Sequence, residues 1–178
     1  MSIDANSKEI LTNLKSTDSG IVLEAIEKVR ESGNSLLVGE MIELLHDTKH
    51  SEIKKNVYNL LSELKDTASV HVLIAAIKNE KYSKERAELI ACCWQNGLSY
   101  NEHLPFFIDL VIREEFKIAF EAFTVIENMY GKIEEEVIEI EIIKVNDALK
   151  GANEQKAYLL NGLLAIIRNI PQQQEFTE

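Results

Sequence analysis

The chain has little of what interrupts a helix. Of its 178 residues only 2 are proline and 7 glycine, the two residues that cost a helix interior about 3 and about 1 kcal/mol relative to alanine. A chain so sparing of both is expected to be nearly all helical. It has two cysteines, Cys92 and Cys93, and they are adjacent. Neighbours on a helix point about 100° apart, so a bridge between them would be strained. With no disulfide framework, a reducing compartment and hence a cytoplasmic protein is expected. Positive charge is also scarce: 19 Lys and Arg against 30 Asp and Glu give a formal net charge of -11. That argues against nucleic acid as a partner, because phosphates are neutralised by Lys and Arg, and against charge-driven binding to an anionic membrane. No apolar run reaches the roughly 18 residues of a membrane span. Met1 to Asn6 has neither a basic nor an apolar region, so no signal peptide is expected. No EF-hand loop, Gly-rich phosphate loop, Ser-His-Asp grouping or HExxH stretch occurs.

What the chain does have is a repeat, centred on Ser35 to Asn79. Leu37, Met41 and Leu44 stand at i, i+4 and i+7, one face of a 3.6-residue period. The pattern returns 33 positions later as Val70, Ile74 and Ile77, and 34 positions after that as Leu104, Ile108 and Val111. Second helices follow the same rhythm: Val57 and Leu60, then Ile90 and Cys93, then Phe123 and Ile126, each 33 positions apart. Turns fall at Ser32-Gly33-Asn34, Lys65-Asp66-Thr67, Asn96-Gly97 and Tyr130-Gly131-Lys132, where glycine suits the left-handed residue that ends many helices. Ser51 and Ser83 stand where helix caps are wanted. Two amphipathic helices per period of this length predict an α-solenoid, because one pair cannot bury its apolar face alone and stacked pairs can. The expectation is an all-α superhelix of about ten antiparallel helices in roughly five pairs, forming one domain over residues 1–178, with 1–6 and 171–178 disordered.

The run Leu44-Leu45-His46-Asp47, then Glu52 to Val57 and on through Leu64-Lys65-Asp66, resembles a HEAT repeat. So does Val70 to Ile77 with Glu85 to Trp94. Asp47 with Lys54 or Lys55 looks like the family's Asp in the inter-helix turn and its basic residue early in the second helix. The next unit keeps Arg86 without the Asp. The resemblance covers residues 21–131 and implies an extended surface lined by second helices. HEAT-like DNA glycosylases use a basic face, and this chain is acidic. Deoxyhypusine hydroxylases use His-Glu iron ligands, and no His here is followed by Glu.

Outside the central units, Ser7 is read as the cap of a short first helix carrying Ile10, Leu11 and Leu14, and the next helix carries Val22, Ile26 and Val29. Pro105 fits the first turn of a helix with Phe106 to Ile112. Glu139-Ile140-Glu141-Ile142 alternates like a strand, yet Ile138, Ile142, Val145 and Leu149 fit a helix, which is the assignment adopted. The last helix, residues 154–170, is apolar around much of its circumference, and Pro171 with its Gln-rich tail ends the fold.

Residues with chemical potential have plainer readings beside them. His46 and His50 flank a surface turn and read as turn residues rather than metal ligands. His71 and His103 fall near the starts of first helices, where they face water. Cys93 occupies a core position and reads as a small apolar side chain. Glu134-Glu135-Glu136, Glu139 and Glu141 read as a solvated helix start favoured by the helix dipole. Trp94, Phe106, Phe107, Phe116, Phe120 and Phe123 read as core.

With no catalytic grouping, the expected function is a non-enzymatic protein-interaction or scaffold module needing no cofactor or metal. Its partner is another protein, and its contact candidates are Lys54, Tyr58, Asn59, Lys84 and Glu88 on the second helices. Two alternatives stand beside it: a homodimer formed through the apolar last helix, and an enzyme or small-ligand binder near Trp94 and Cys93.

Overall fold

The computed structural model describes residues 5–174. Within them every regular element is a helix and there is no strand. The ten α-helices are α1 (Ala5–Leu14), α2 (Ser19–Ser32), α3 (Val38–Asp47), α4 (Ser51–Ser62), α5 (Ser69–Lys78), α6 (Arg86–Asn96), α7 (Leu104–Arg113), α8 (Phe116–Glu127), α9 (Glu135–Leu149) and α10 (Glu154–Gln174). Single 3-10 turns at Ser35–Leu37, Glu80–Tyr82 and Asn101–His103 precede α3, α6 and α7. The helix alternative for residues 134–145 is the one the structure adopts.

Contacts divide the chain expected to be one domain into two compact units, Met1–Leu98 and Ser99–Glu178. In the first, α1 packs on α2, α3 on α4 and α5 on α6. The second helices of the pairs also pack on one another, α2 on α4 and α4 on α6, as α3 does on α5. Its core is Val22, Ile26 and Val29 of α2, Met41, Ile42 and Leu45 of α3, Val57, Leu60 and Leu61 of α4, Leu73, Ile74 and Ile77 of α5, and Leu89, Ile90 and Cys93 of α6. Each such aliphatic side chain contributes about 1.5–3 kcal/mol of burial. In the second unit α7 packs on α8 and α9 on α10, while α10 also lies against α8 and α7, and α7 against α9.

Local chemistry sets the helix limits. Asp18 caps α2 by accepting from the backbone N–H of Gly20 (2.8 Å) and Ile21 (3.4 Å). Gly33 ends α2 at φ +59°, the left-handed conformation in which its N–H reaches Val29 O. Gly97 takes the same left-handed conformation after α6, at φ +66°. Pro105 lies in the first turn of α7, where its missing N–H removes no helical bond. At the other end of α7, the Lys156 ammonium donates to Val111 O (2.7 Å) and Glu114 O (2.6 Å), satisfying carbonyls the helix leaves open. Burial holds that ammonium's pKa below its ordinary value, with the nearby Glu114 charge acting the other way.

Several expected details shift. Ser7 is a buried residue inside α1, and its hydroxyl accepts from Asn34 Nδ2 at 3.2 Å instead of capping. Ser51 is the first residue of α4, with His50 at the cap position. Ser83 follows the 3-10 turn that Asn79 caps. Leu45 rather than Leu44, which is half-buried, continues the face that α3 buries against α4 and α5. Phe116 and Phe120 are not core: they are 43% and 48% exposed, and stack on each other with ring centroids 5.9 Å apart. The small residues Ala119 and Ala122 face inward in their place, which lets α8 lie close to its neighbours. Where Pro171 is expected to end the fold, α10 runs on to Gln174. Residues 1–4 and 175–178, where disorder is also expected, lie outside the described residues.

Candidate functional site

The expected contact face lies on α4 and the approach to α6, and the structure assembles part of it. Tyr58 is half-buried on α4, facing the first turn of α6. Burial, followed by the charges of Glu88 and Glu85, pushes its phenol well above its ordinary pKa. Tyr58 therefore lies within reach of the Glu88 charge across the α4–α6 seam. Lys54 is half-buried and Asn59 exposed on α4. Lys84 is exposed but lies in the turn before Arg86, so it is not a residue of the second helix. Among the described residues no ion pair joins Asp47 to Lys54 or Lys55; the Asp47 charge acts on Lys81 instead.

Beneath this seam is a polar cluster. Glu85 is buried, and its Oε2 lies 3.2 Å from Nδ1 of half-buried His46 at the end of α3. The His46 ring meets Tyr82 edge-on, with centroids 5.5 Å apart. Tyr82 donates its hydroxyl to Glu43 Oε1 at 2.7 Å, and Lys81 pairs with the other Glu43 oxygen. The hydrogen bond from Lys81 and then that from Tyr82 hold the Glu43 carboxyl below its ordinary pKa, against the effect of burial. The same bond raises Lys81. Burial and the hydrogen bond to Glu43 raise Tyr82. Buried Arg86 donates to Glu80 at 2.6 Å. His46 is therefore no plain turn residue: the last turn of α3 points it at the start of α6. The cluster ties the end of α3 to the 3-10 turn and the start of α6.

Cys92 and Cys93 are free and buried. Ser62 Oγ donates toward Cys92 Sγ at 3.5 Å, and Cys93 Sγ donates toward Leu89 O at 3.5 Å. Trp94 is half-buried, as are Phe106 and Phe123, whereas Phe107 is fully covered. No group of three or more His, Cys, Asp and Glu among the described residues is arranged to hold a metal. No helix among them is long and apolar enough to cross a membrane.

In the second unit the acidic stretch splits. Glu134, Glu135, Glu136 and Glu139 are exposed, but Glu141 is only 3% exposed. It falls well past the first turn of α9, on the inward face, where Lys144 Nζ donates to it at 2.8 Å and to Asp109 of α7 at 3.2 Å. Burial opposes the Lys144 charge, but the hydrogen bonds to Glu141 and Asp109 outweigh it and raise its pKa. Leu159, Leu160, Leu163, Leu164, Ile167 and Ile170 of α10 are buried in the chain itself. Besides Phe116, Phe120 and Tyr130, the open large apolar residues described in this unit are Ile140 and Ile143 on α9 and Tyr158 on α10.

Two concavities run along the α2–α4 seam, which the sequence reading passes over. The first, about 550 Å3, is lined by Leu23, Glu24, Glu27, Glu31, Glu52 and Asn56, with Lys28. The second, about 430 Å3, has walls of Val29, Val38, Leu60 and Leu64 and a rim that includes Arg30 and Glu63. The acidic stripe was open to periodicity, since Glu24, Glu27 and Glu31 stand at i, i+3 and i+7 of α2. The apolar pit was not, because it depends on how the ends of α2 and α4 meet. Neither concavity is lined by Cys93 or Trp94.

No protein-family model matches the chain and no curated protein matches it. Among solved structures it is similar to the crystal structure of an engineered protein, a target of the Northeast Structural Genomics Consortium. The two are 16% identical, with a TM-score of 0.44 over 90% of this chain and 78% of that one. A likeness at that level carries no argument about function.

Proposed function

We propose that this chain is a HEAT-like protein-interaction module that presents the side-by-side second helices of its first unit to another protein. The observation that carries the reading is the packing of α2 on α4 and of α4 on α6. That arrangement leaves a continuous three-helix face bearing Tyr58, Asn59 and Glu88, with a groove beside it. Stacked helix pairs offer such surfaces because each pair buries one face against its neighbour and leaves the other to solvent. The buried free thiols of Cys92 and Cys93 support a reducing, cytoplasmic setting.

The test is capture of partners from native extract on the tagged chain, with Lys54→Glu/Asn59→Ala as control. A partner retained by the parent and lost by the control supports the reading. One retained equally by both removes this face from it. Recovery of only untagged copies of the chain favours self-association.

A further inference from the structure

We infer that the α2–α4 seam of the first unit takes a basic segment of a partner protein, with one apolar side chain of that segment anchored in the 430 Å3 pit. This rests on the interaction-module reading and names the partner's chemistry. The pit carries the argument. Its walls are aliphatic, and the polar groups at its rim are already engaged within the chain. Arg30 pairs with both Glu27 and Glu63. Lys65 donates to Asn96 O at 3.1 Å. Asp66 accepts from the backbone N–H of Ala68 at 2.9 Å. Asn34 donates to Ser7 and accepts from Leu36 N at 3.0 Å. A ligand entering the pit finds apolar contact and few open hydrogen-bonding groups, so an aliphatic or aromatic side chain fits and a polar head does not. An apolar hollow ringed by satisfied polar groups is the setting in which interface anchors are desolvated.

Charge selects what flanks the anchor. In the adjoining groove Lys28 is paired with Glu9, and Arg30 at the rim of the pit is paired with Glu27 and Glu63. Glu24, Glu31 and Glu52 line the groove, and none of them takes part in an ion pair among the described residues. The groove therefore presents negative charge without compensation, and Lys or Arg flanking the anchor complements it. A polar neutral segment gains nothing there, and an acidic one is repelled.

The experiment titrates the full chain into a fluorescein-labelled 14-residue peptide of alternating Lys and Ser with one central Leu, read by anisotropy. The comparison peptide has Ser in place of that Leu. Three variants accompany the parent: Leu64→Trp, which fills the pit; Glu24→Lys/Glu31→Lys/Glu52→Lys, which reverses the groove; and Glu134→Lys/Glu135→Lys/Glu136→Lys, which makes the same charge change in the second unit. Circular dichroism and thermal melting confirm that each variant is folded. The expected result is binding by the parent that weakens as salt is added. The Ser peptide, Leu64→Trp and the groove reversal each weaken it at least tenfold, and the second-unit reversal weakens it less than twofold. Equal binding of the two peptides, equal loss in both charge reversals, or no binding by the parent overturns the inference. If the peptide fails while Lys54→Glu/Asn59→Ala still abolishes partner capture, the seam is wrong and the interaction-module reading stands.

Discussion

Lys144 shows how one side chain commits a helix to its neighbour. It faces the buried Glu141 of its own helix and Asp109 of α7 at once. Removing it leaves a covered carboxylate without its cation. Such loss inside a protein costs about 3–5 kcal/mol, and the partly solvent-facing position of Lys144 brings the expectation for Lys144→Met to about 1–3 kcal/mol, measured by urea denaturation. Adding Glu141→Gln to that variant restores most of the loss, since no charge then lies buried. The pH dependence has a defined sign. The folded pKa lies above the ordinary 10.5, so the stabilisation is complete below that value and is lost as pH rises through the folded pKa. The gap between parent and Lys144→Met is flat from pH 7 to about pH 10 and narrows above it.

At the scale of elements, the approach of α8 to α10 is set by a residue without a side chain. A Cβ on Gly162 would sit 3.2 and 3.3 Å from two ring carbons of Phe123. Gly162→Val pushes the helices apart and is expected to cost about 1–3 kcal/mol by overpacking. Gly162→Ala is expected to be close to neutral in thermal melting, since a gain of about 1 kcal/mol in helix propensity opposes a mild steric clash. Nothing at Gly162 distinguishes it in the sequence from a helix-weakening glycine, whereas the helices themselves were legible. The spacing of Val70, Ile74 and Ile77 and of Leu104, Ile108 and Val111 gave both the elements and their buried faces, because period follows from backbone geometry alone. Caps and phase were harder. Ser7 and Ser83 are good caps chemically, but tertiary contacts and a 3-10 turn placed them elsewhere. Phe116 and Phe120 satisfy a core period yet point outward, since size and period do not say which face of α8 meets a neighbour. Tyr58 and Glu88 stand 30 positions apart, off the 33-residue repeat; their approach, the link from His46 to Glu85 and the α2–α4 pit were not legible, because they join residues with no shared period.

For the whole chain, the charge governs behaviour in solution. A net charge of -11 at pH 7 and a pI near 4.9 predict a solubility minimum close to pH 5, seen as a rise in light scattering at physiological salt, with clear solutions at pH 7 and above. The order in which the helices pack has a consequence of another kind. Within each unit every helix lies against partners no more than three helices away along the chain. Mean sequence separation between touching residues is therefore short, and little loop-closure entropy must be spent before native contacts reward it. Such topologies reach the native state in microseconds to milliseconds. All pairings of the first unit become available once Leu98 has emerged from the ribosome, so its hairpins can dock in the order in which they leave it, before the second unit is complete.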